Sequence, residues 1–391
     1  MTNVTQPSTP TEHLPALQEV MREEAGGEVE PLAYTPAEDW NPVEEVRRSA
    51  EPIADPQVVS TPDGRVHLVW GENGWIWHAW RSEDGWATPQ RLFMGHQPSL
   101  DVDAQGGVHL VFAHAFGGRH QIYYTRYVEP LWRLPYEISR TPGLSHRPHV
   151  KAGPEERIYV VWEDDTPGFP AIYHAYNPEG YWINAPIPGV RGWRPRLVTA
   201  EEVGVHVVWE ASMPTRKGDD IYHAQMNATG WSLAENISDT PAGDSALPHA
   251  ALTASAEIHV VWEERVANRT FIAYAYGRYA SWRKPLALVF WGRPQQPCIA
   301  ISSRGQVHVA WVDDKTVAYR RREAGDEAPW NAPIALDQAN GPVAYPYLWV
   351  NEQGDVYSTW VRRDGAEYVL CFRFWEIPKE RRAHLPFVTV P

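Results

Sequence analysis

The chain has 391 residues, with 35 Lys and Arg against 49 Asp and Glu and a formal charge of −14, a balance that opposes attraction to nucleic-acid phosphates and to anionic membrane surfaces. It is too long for one small core, so either one large closed fold or two to three ordinary domains must account for it. Two isolated cysteines, no signal-peptide core near the start and no apolar run of membrane length make a soluble, cytoplasmic protein the expectation, without disulfide framework, membrane insertion or nucleic-acid partner.

From the N-terminus, residues 1–39 form an acidic extension. Its first ten residues are rich in Thr, Pro and Ser and predict disorder. In the segment 11–25, Leu14, Leu17 and Met21 share one helical face ahead of Gly26-Gly27. So short a helix is marginal alone, which predicts that it caps the bottom of the fold or docks the protein to a larger assembly. Trp40-Asn-Pro-Val-Glu-Glu-Val46 then reads as a strand, 40–47, with no neighbour of its own.

A repeat follows. Val66-His-Leu-Val-Trp70, Val108-His-Leu-Val-Phe112, Ile158-Tyr-Val-Val-Trp162, Val205-His-Val-Val-Trp209, Ile258-His-Val-Val-Trp262, Val307-His-Val-Ala-Trp311 and Val356-Tyr-Ser-Thr-Trp360 stand 42, 50, 47, 53, 49 and 49 residues apart. Each is preceded by a proline that opens an alternating stretch, from Pro56 to Pro346, and followed by a third run such as Ile172-Tyr-His-Ala. A Trp-containing turn then leads to a fourth strand, as in Gly85-Trp-Ala-Thr-Pro-Gln-Arg-Leu-Phe93. Four short alternating strands per unit predict an antiparallel sheet, and seven sheets that cannot bury both faces alone predict radial closure. The expected fold is all-β, a seven-bladed β-propeller of four-stranded blades over 40–375, with a tail at 376–391. Closure needs a latch: 40–47 is preferred over Trp375-Glu-Ile-Pro378 as the strand that completes blade seven.

Repetition also sorts the functional candidates. His67, His109, His206, His259 and His308 recur three residues before the repeat aromatic. A position repeated around a ring cannot converge on one ion, so these histidines predict inter-blade packing and no metal site. His78, His174 and His223 recur on the third strand with the same reading. Antiparallel pairing brings the start of each first strand beside the end of each second. One mouth of the channel therefore gathers His96, His146, Arg147, Trp193, Arg194, Gln296 and Tyr345 with His114, Glu163, Glu210 and Glu263. These differ from blade to blade, as an asymmetric ligand site requires. The competing reading pairs Arg147 with Glu163 and Arg194 with Glu210 as rim ion pairs. If the mouth binds ligand, replacing Arg147, Trp193 or Arg194 should leave stability within roughly 1 kcal/mol, as at exposed positions.

The repeat resembles the sialidase-like propellers built from BNR, or Asp-box, repeats. The nearest copy of the family turn is Ser82-Glu-Asp-Gly-Trp86, with its Asp lost in Asn177-Pro-Glu-Gly-Tyr-Trp182 and Asn227-Ala-Thr-Gly-Trp231. The resemblance implies a carbohydrate-related site. If it carries hydrolase chemistry, Tyr345 is the candidate nucleophile, with Glu210 or Glu263 activating it. The stretch from His96 to His114 also looks like the His-containing blade of propeller-type ulvan lyases, which implies a proton-transfer role for His96 or His114 and carboxylate neutralisation by an arginine. The leading expectation is a non-catalytic recognition or scaffold propeller that binds a glycan or protein partner without a cofactor. A carbohydrate-active enzyme, hydrolase or lyase, is the alternative.

Overall fold

The computed structural model describes residues 14–23 and 33–377, apart from 154–155, 178–179, 201–203, 213–217, 228–229, 241–242, 279–280 and 326–327. Seven antiparallel sheets follow one another around a ring, each opening with the strand beside the channel. Their first strands are Ile53–Ser60, His96–Val102, Ser145–Ala152, Trp193–Ala200, Asp244–Leu252, Pro294–Ile301 and Val343–Val350. The chain is a seven-bladed β-propeller. In blades one, two, four and five the expected fourth strand is not continuous but splits in two; Pro89, Pro135 and Pro285 stand in the breaks of blades one, two and five, and Ser232-Leu233-Ala234 in that of blade four. A proline cannot donate to the ladder, which accounts for the break in the three blades that carry one.

Blade seven is completed from the other end of the chain. Glu44–Ser49 lies antiparallel to Glu367–Trp375, with Glu44 opposite Phe372 and Ser49 opposite Tyr368. Arg373 fastens the approach, donating to the carbonyls of Ala37 and Leu336 at 2.7 Å each. Trp375 instead ends the third strand, and Trp375 and Ile377 pack into the core shared by blades six and seven. Upstream of the latch the extension follows the rim. The helix Leu17–Glu23 lies against blades four and five rather than under the disc, with Leu17 N–H bonded to Pro285 O and Ala287 N–H to Pro15 O. Leu14, Leu17 and Met21 all pack inward. Residues 1–13 and 24–25, where disorder and the rest of the helix are expected, lie outside the described residues, as does 378–391.

The repeat aromatics are the heart of each blade. Trp70, Trp162, Trp209, Trp262, Trp311, Trp360 and Phe112 are fully buried. Where an acid stands two residues later it can accept the indole N–H, as Glu72, Asp164 and Glu264 do at 2.9–3.1 Å. The repeated histidines are bound too, by hydrogen bonds within their own blades, while the expected packing between blades is made by His67, whose ring lies edge-on to Tyr127 of blade two at 5.0 Å, and by His78, His174 and His223 of the third strands. His67 meets His78, His206 meets His223, and His109, His259 and His308 meet Tyr124, Tyr274 and Tyr319 across to the third strand. A buried imidazole needs such a partner, and the adjacent strand supplies it at hydrogen-bond distance.

On the outer side, contact between blades is made by the outer tryptophans. Trp86, Trp132, Trp182, Trp231, Trp282 and Trp330 each meet edge-on an aromatic of the preceding blade: Phe372, His78, Tyr124, His174, His223 and Tyr274, at centroid distances of 5.0–5.5 Å. Trp40 supplies the seventh contact, on Tyr319 at 5.1 Å. Trp40→Ala should therefore destabilise the protein by about 3–5 kcal/mol, as loss of a buried Trp does, and match Trp330→Ala in urea unfolding. A change below about 0.5 kcal/mol, the size of an ordinary surface substitution, would show that the latch does not close the ring.

Candidate functional site

Every first strand carries the same distortion at the channel mouth. The residue before its proline adopts a left-handed backbone conformation: Asp55, Gln97, Arg147, Arg194, Leu247, Gln296 and Tyr345, with φ between 47 and 56°. None is glycine, so the conformation is costly and must be held by its surroundings. At the same place the pairing register shifts by one residue in all seven blades, a β-bulge on the first strand. The bulge takes the X-Pro pair out of the ladder and aims its side chains into the mouth.

The freed N–H groups link the blades. Arg147 N–H donates to Gln97 Oε1, Arg194 N–H to Glu163 Oε1, Leu247 N–H to Glu210 Oε2, Gln296 N–H to Glu263 Oε1 and Tyr345 N–H to Gln296 Oε1, at 2.5–3.1 Å. A second tier lies deeper, where Leu197 and Ile299 N–H donate to Nδ1 of His149 and His249. Burial, and then the Arg196 charge, hold both of these imidazoles well below the usual histidine range.

Glu163, Glu210 and Glu263 are thus buried fixtures of the ring. Each also takes an arginine: Arg147 Nη1 to Glu163 and Arg194 Nη1 to Glu210 at 2.8 Å, and Arg265 to Glu263. Burial is the first cause of the raised pKa of Glu210, against the pull of Arg194. With Glu210 and Glu263 committed in this way, neither is paired with Tyr345, whose pKa is raised by burial and by Asp55. No nucleophile and base of the sialidase kind meet among the described residues of the mouth.

The mouth itself is a cavity of about 460 Å³ whose lining includes Asp55, Arg147, Arg194, Arg196, His249 and Tyr345. Arg147 and Arg194 spend only Nη1 on their glutamates, and Arg196 donates only to Pro195 O at 3.2 Å. The remaining guanidinium donors make no hydrogen bond among the described residues. Three arginines with free donors therefore face one opening. The other end of the channel holds a larger cavity, about 850 Å³, lined by the hairpin turns and by Asp103, Glu156 and Glu352, with no lysine or arginine among its described lining residues. Chemistry rather than size separates the two ends: one presents donors for an anion, the other carboxylates that repel it. Trp193 is half-buried beside the mouth and does not line the cavity.

Next to Arg147 lies a second group. His96 and His120 of blade two and His146 of blade three place one ring nitrogen each within 4.8 Å of the others, and all three are half-buried. Burial and the neighbouring imidazoles lower the pKa of His96 to about 4, and burial first lowers those of His114 and His146. His114 is open on one side and meets Tyr123 edge-on at 5.4 Å. None of these four imidazoles has a hydrogen-bond partner among the described residues, and the Nδ1 of His120 is buried without one. His120 escapes the reading by repeated strand positions because it lies at the start of the third strand. The signal was there to see: two residues ahead of the repeated Ile, where blade two has His120, other blades carry Gly74, Pro170, Asp219 and Thr270.

No protein-family model matches the chain, and no curated protein matches it in sequence. Solved structures do. An ulvan lyase described as a new polysaccharide lyase family superposes with a TM-score of 0.63 at 9% identity, over 87% of this chain and 100% of that one. The polysaccharide lyase Uly1 gives 0.58 at 7% identity over 95% and 100%. An α-L-arabinanase of Penicillium chrysogenum gives 0.51 at 13% over 71% and 92%. At such identities the likeness carries the propeller fold alone and leaves chemistry to the site.

The ion pairs revise the expectation for arginine substitutions. Arg194→Ala strands a buried carboxylate, whose pKa must rise further above its unfolded value. The native state then binds the extra proton between those two values, so stability falls as pH rises through that window. The variant should lose roughly 1–3 kcal/mol at pH 8, discounted for the partly exposed arginine, and less at pH 5. Chemical denaturation at the two pH values checks this; an equal loss at both would mean that Glu210 does not depend on Arg194.

Proposed function

We propose that the protein is a carbohydrate-active propeller that binds an acidic polysaccharide at the arginine-bearing mouth and cleaves it by β-elimination. The observation that carries this reading is the convergence of Arg147, Arg194 and Arg196, with unused donors, on one cavity. A planar guanidinium matches a carboxylate with two parallel bonds, and this charge stabilisation makes the hydrogen on the carbon next to a uronate carboxylate removable.

His114 is the proposed base. Burial lowers its pKa, which favours the neutral imidazole, and it is half-buried with no hydrogen bond among the described residues. It takes the proton from that carbon, a carbon–carbon double bond forms, and the bond to the glycosidic oxygen breaks. Tyr123 stays protonated, since burial raises its pKa, and returns a proton to the departing oxygen. The solved polysaccharide lyases named above share this architecture and lend the reading their chemistry only as precedent. A hydrolase of sialidase type is less well supported, because Tyr345 lacks a glutamate partner.

Incubation with uronate polysaccharides should produce the ultraviolet absorbance of an unsaturated uronate. His114→Ala should lower turnover by about 10²–10⁴ with unchanged glycan binding, and Arg147→Lys should weaken binding by removing the fork while keeping the charge. Binding without any absorbance change would favour a recognition module. Neither binding nor turnover on a panel of acidic glycans would overturn the assignment of the mouth.

A further inference from the structure

We propose that His96, His120 and His146 form a binding site for one divalent cation of the zinc class. The inference is independent of polysaccharide cleavage, since none of the three is used as its acid or base.

The three imidazoles arrive from separate strands: the first and third of blade two and the first of blade three. Their ring centroids lie 4.7 Å (His120 to His146), 5.2 Å (His96 to His120) and 6.5 Å (His96 to His146) apart. Zinc–nitrogen bonds of about 2.0–2.1 Å in tetrahedral geometry separate ligand atoms by roughly 3.4 Å. From a spacing within 4.8 Å, small side-chain rotations close the gap.

Packing alone does not account for this arrangement. The repeated histidines of the same fold are each bound through one nitrogen to a histidine or tyrosine, whereas these three make no hydrogen bond to any described residue; the Nδ1 of His120 is buried and unsatisfied, as is the second nitrogen of His308. An unpaired buried polar atom costs stability unless something absent from the protein chain completes it.

All three ligand atoms are nitrogens, which selects zinc, cobalt, nickel or copper over calcium and magnesium. The carboxylate nearest in the ladder, Glu163 opposite His146, is already held by Arg147 and by the Arg194 backbone N–H. Three protein ligands leave a fourth position for water or for an oxygen of a bound molecule. His146 precedes Arg147 directly, so that position opens beside the mouth.

The test is a titration of chelator-treated, full-length protein with Zn²⁺ against a competing indicator, together with the visible spectrum of the Co²⁺ form. One ion per chain and the absorption bands of tetrahedral cobalt are expected. His120→Ala should weaken Zn²⁺ binding at least about 100-fold, beyond the effect of losing an outer-sphere partner, and abolish the bands while the circular dichroism is unchanged. His146→Gln, at a more open position, provides the same readout if His120→Ala misfolds. Binding of equal strength in both variants, or no Zn²⁺ uptake by the unaltered protein, would overturn the site.

Discussion

Everything in this molecule rests on the edge-on contact of an outer tryptophan with the blade before it. A four-stranded sheet of some fifty residues cannot bury both faces by itself. Each blade therefore has no stable existence except against its neighbours, and the seven Trp contacts bring those neighbours to the same spacing. The ring would still be open at one seam if the seventh tryptophan came from blade seven's own sequence order. It comes instead from Trp40, ahead of blade one, which packs on Tyr319 while Glu44–Ser49 completes the sheet. Closure thus joins the two ends of the propeller without a disulfide, both cysteines being free and buried.

The inner edge of the ring solves a different problem. Proline at the start of each first strand withdraws a ladder donor, and the bulge around it turns the preceding residue into the left-handed region. The displaced N–H groups find acceptors on the neighbouring blade, and buried glutamates serve as three of them. Two of these glutamates anchor Arg147 and Arg194 with one nitrogen each, leaving the rest of each guanidinium at the mouth. A packing device shared by all blades in this way presents unlike side chains at one opening. Ring architecture supplies the rigidity, and the unrepeated residues supply the chemistry.

How much of this is legible in the sequence follows from the same distinction. The period of the Val-His-x-Val-Trp stretches is set by backbone pairing and burial, which act locally, so seven blades can be read directly. The mouth residues can be read too, because antiparallel geometry fixes which strand ends meet. What escapes is whatever depends on which side chain a neighbour offers. The hydrogen-bond partners of His67 and His109 lie on their own blades because the third strand happens to present His78 and Tyr124, while the His67 ring also packs on Tyr127 of the next blade. The helix at Leu17 lies on the rim of blades four and five because Pro285 and Ala287 leave backbone groups there to bond. His120 is missed because it sits in a turn-proximal position that carries no repeat. The expectation that no metal binds came from repeated histidines, and it does not reach a trio assembled from three unlike positions.

The most direct test of this account is a crystal structure with a bound acidic oligosaccharide, such as a uronate tetrasaccharide, using the His114→Ala variant to prevent turnover. The account predicts a carboxylate of the sugar within hydrogen-bond distance of Arg147, Arg194 or Arg196 in the mouth cavity. Density for the sugar in the acidic cavity near Asp103 and Glu352, or on the outer rim, would contradict it.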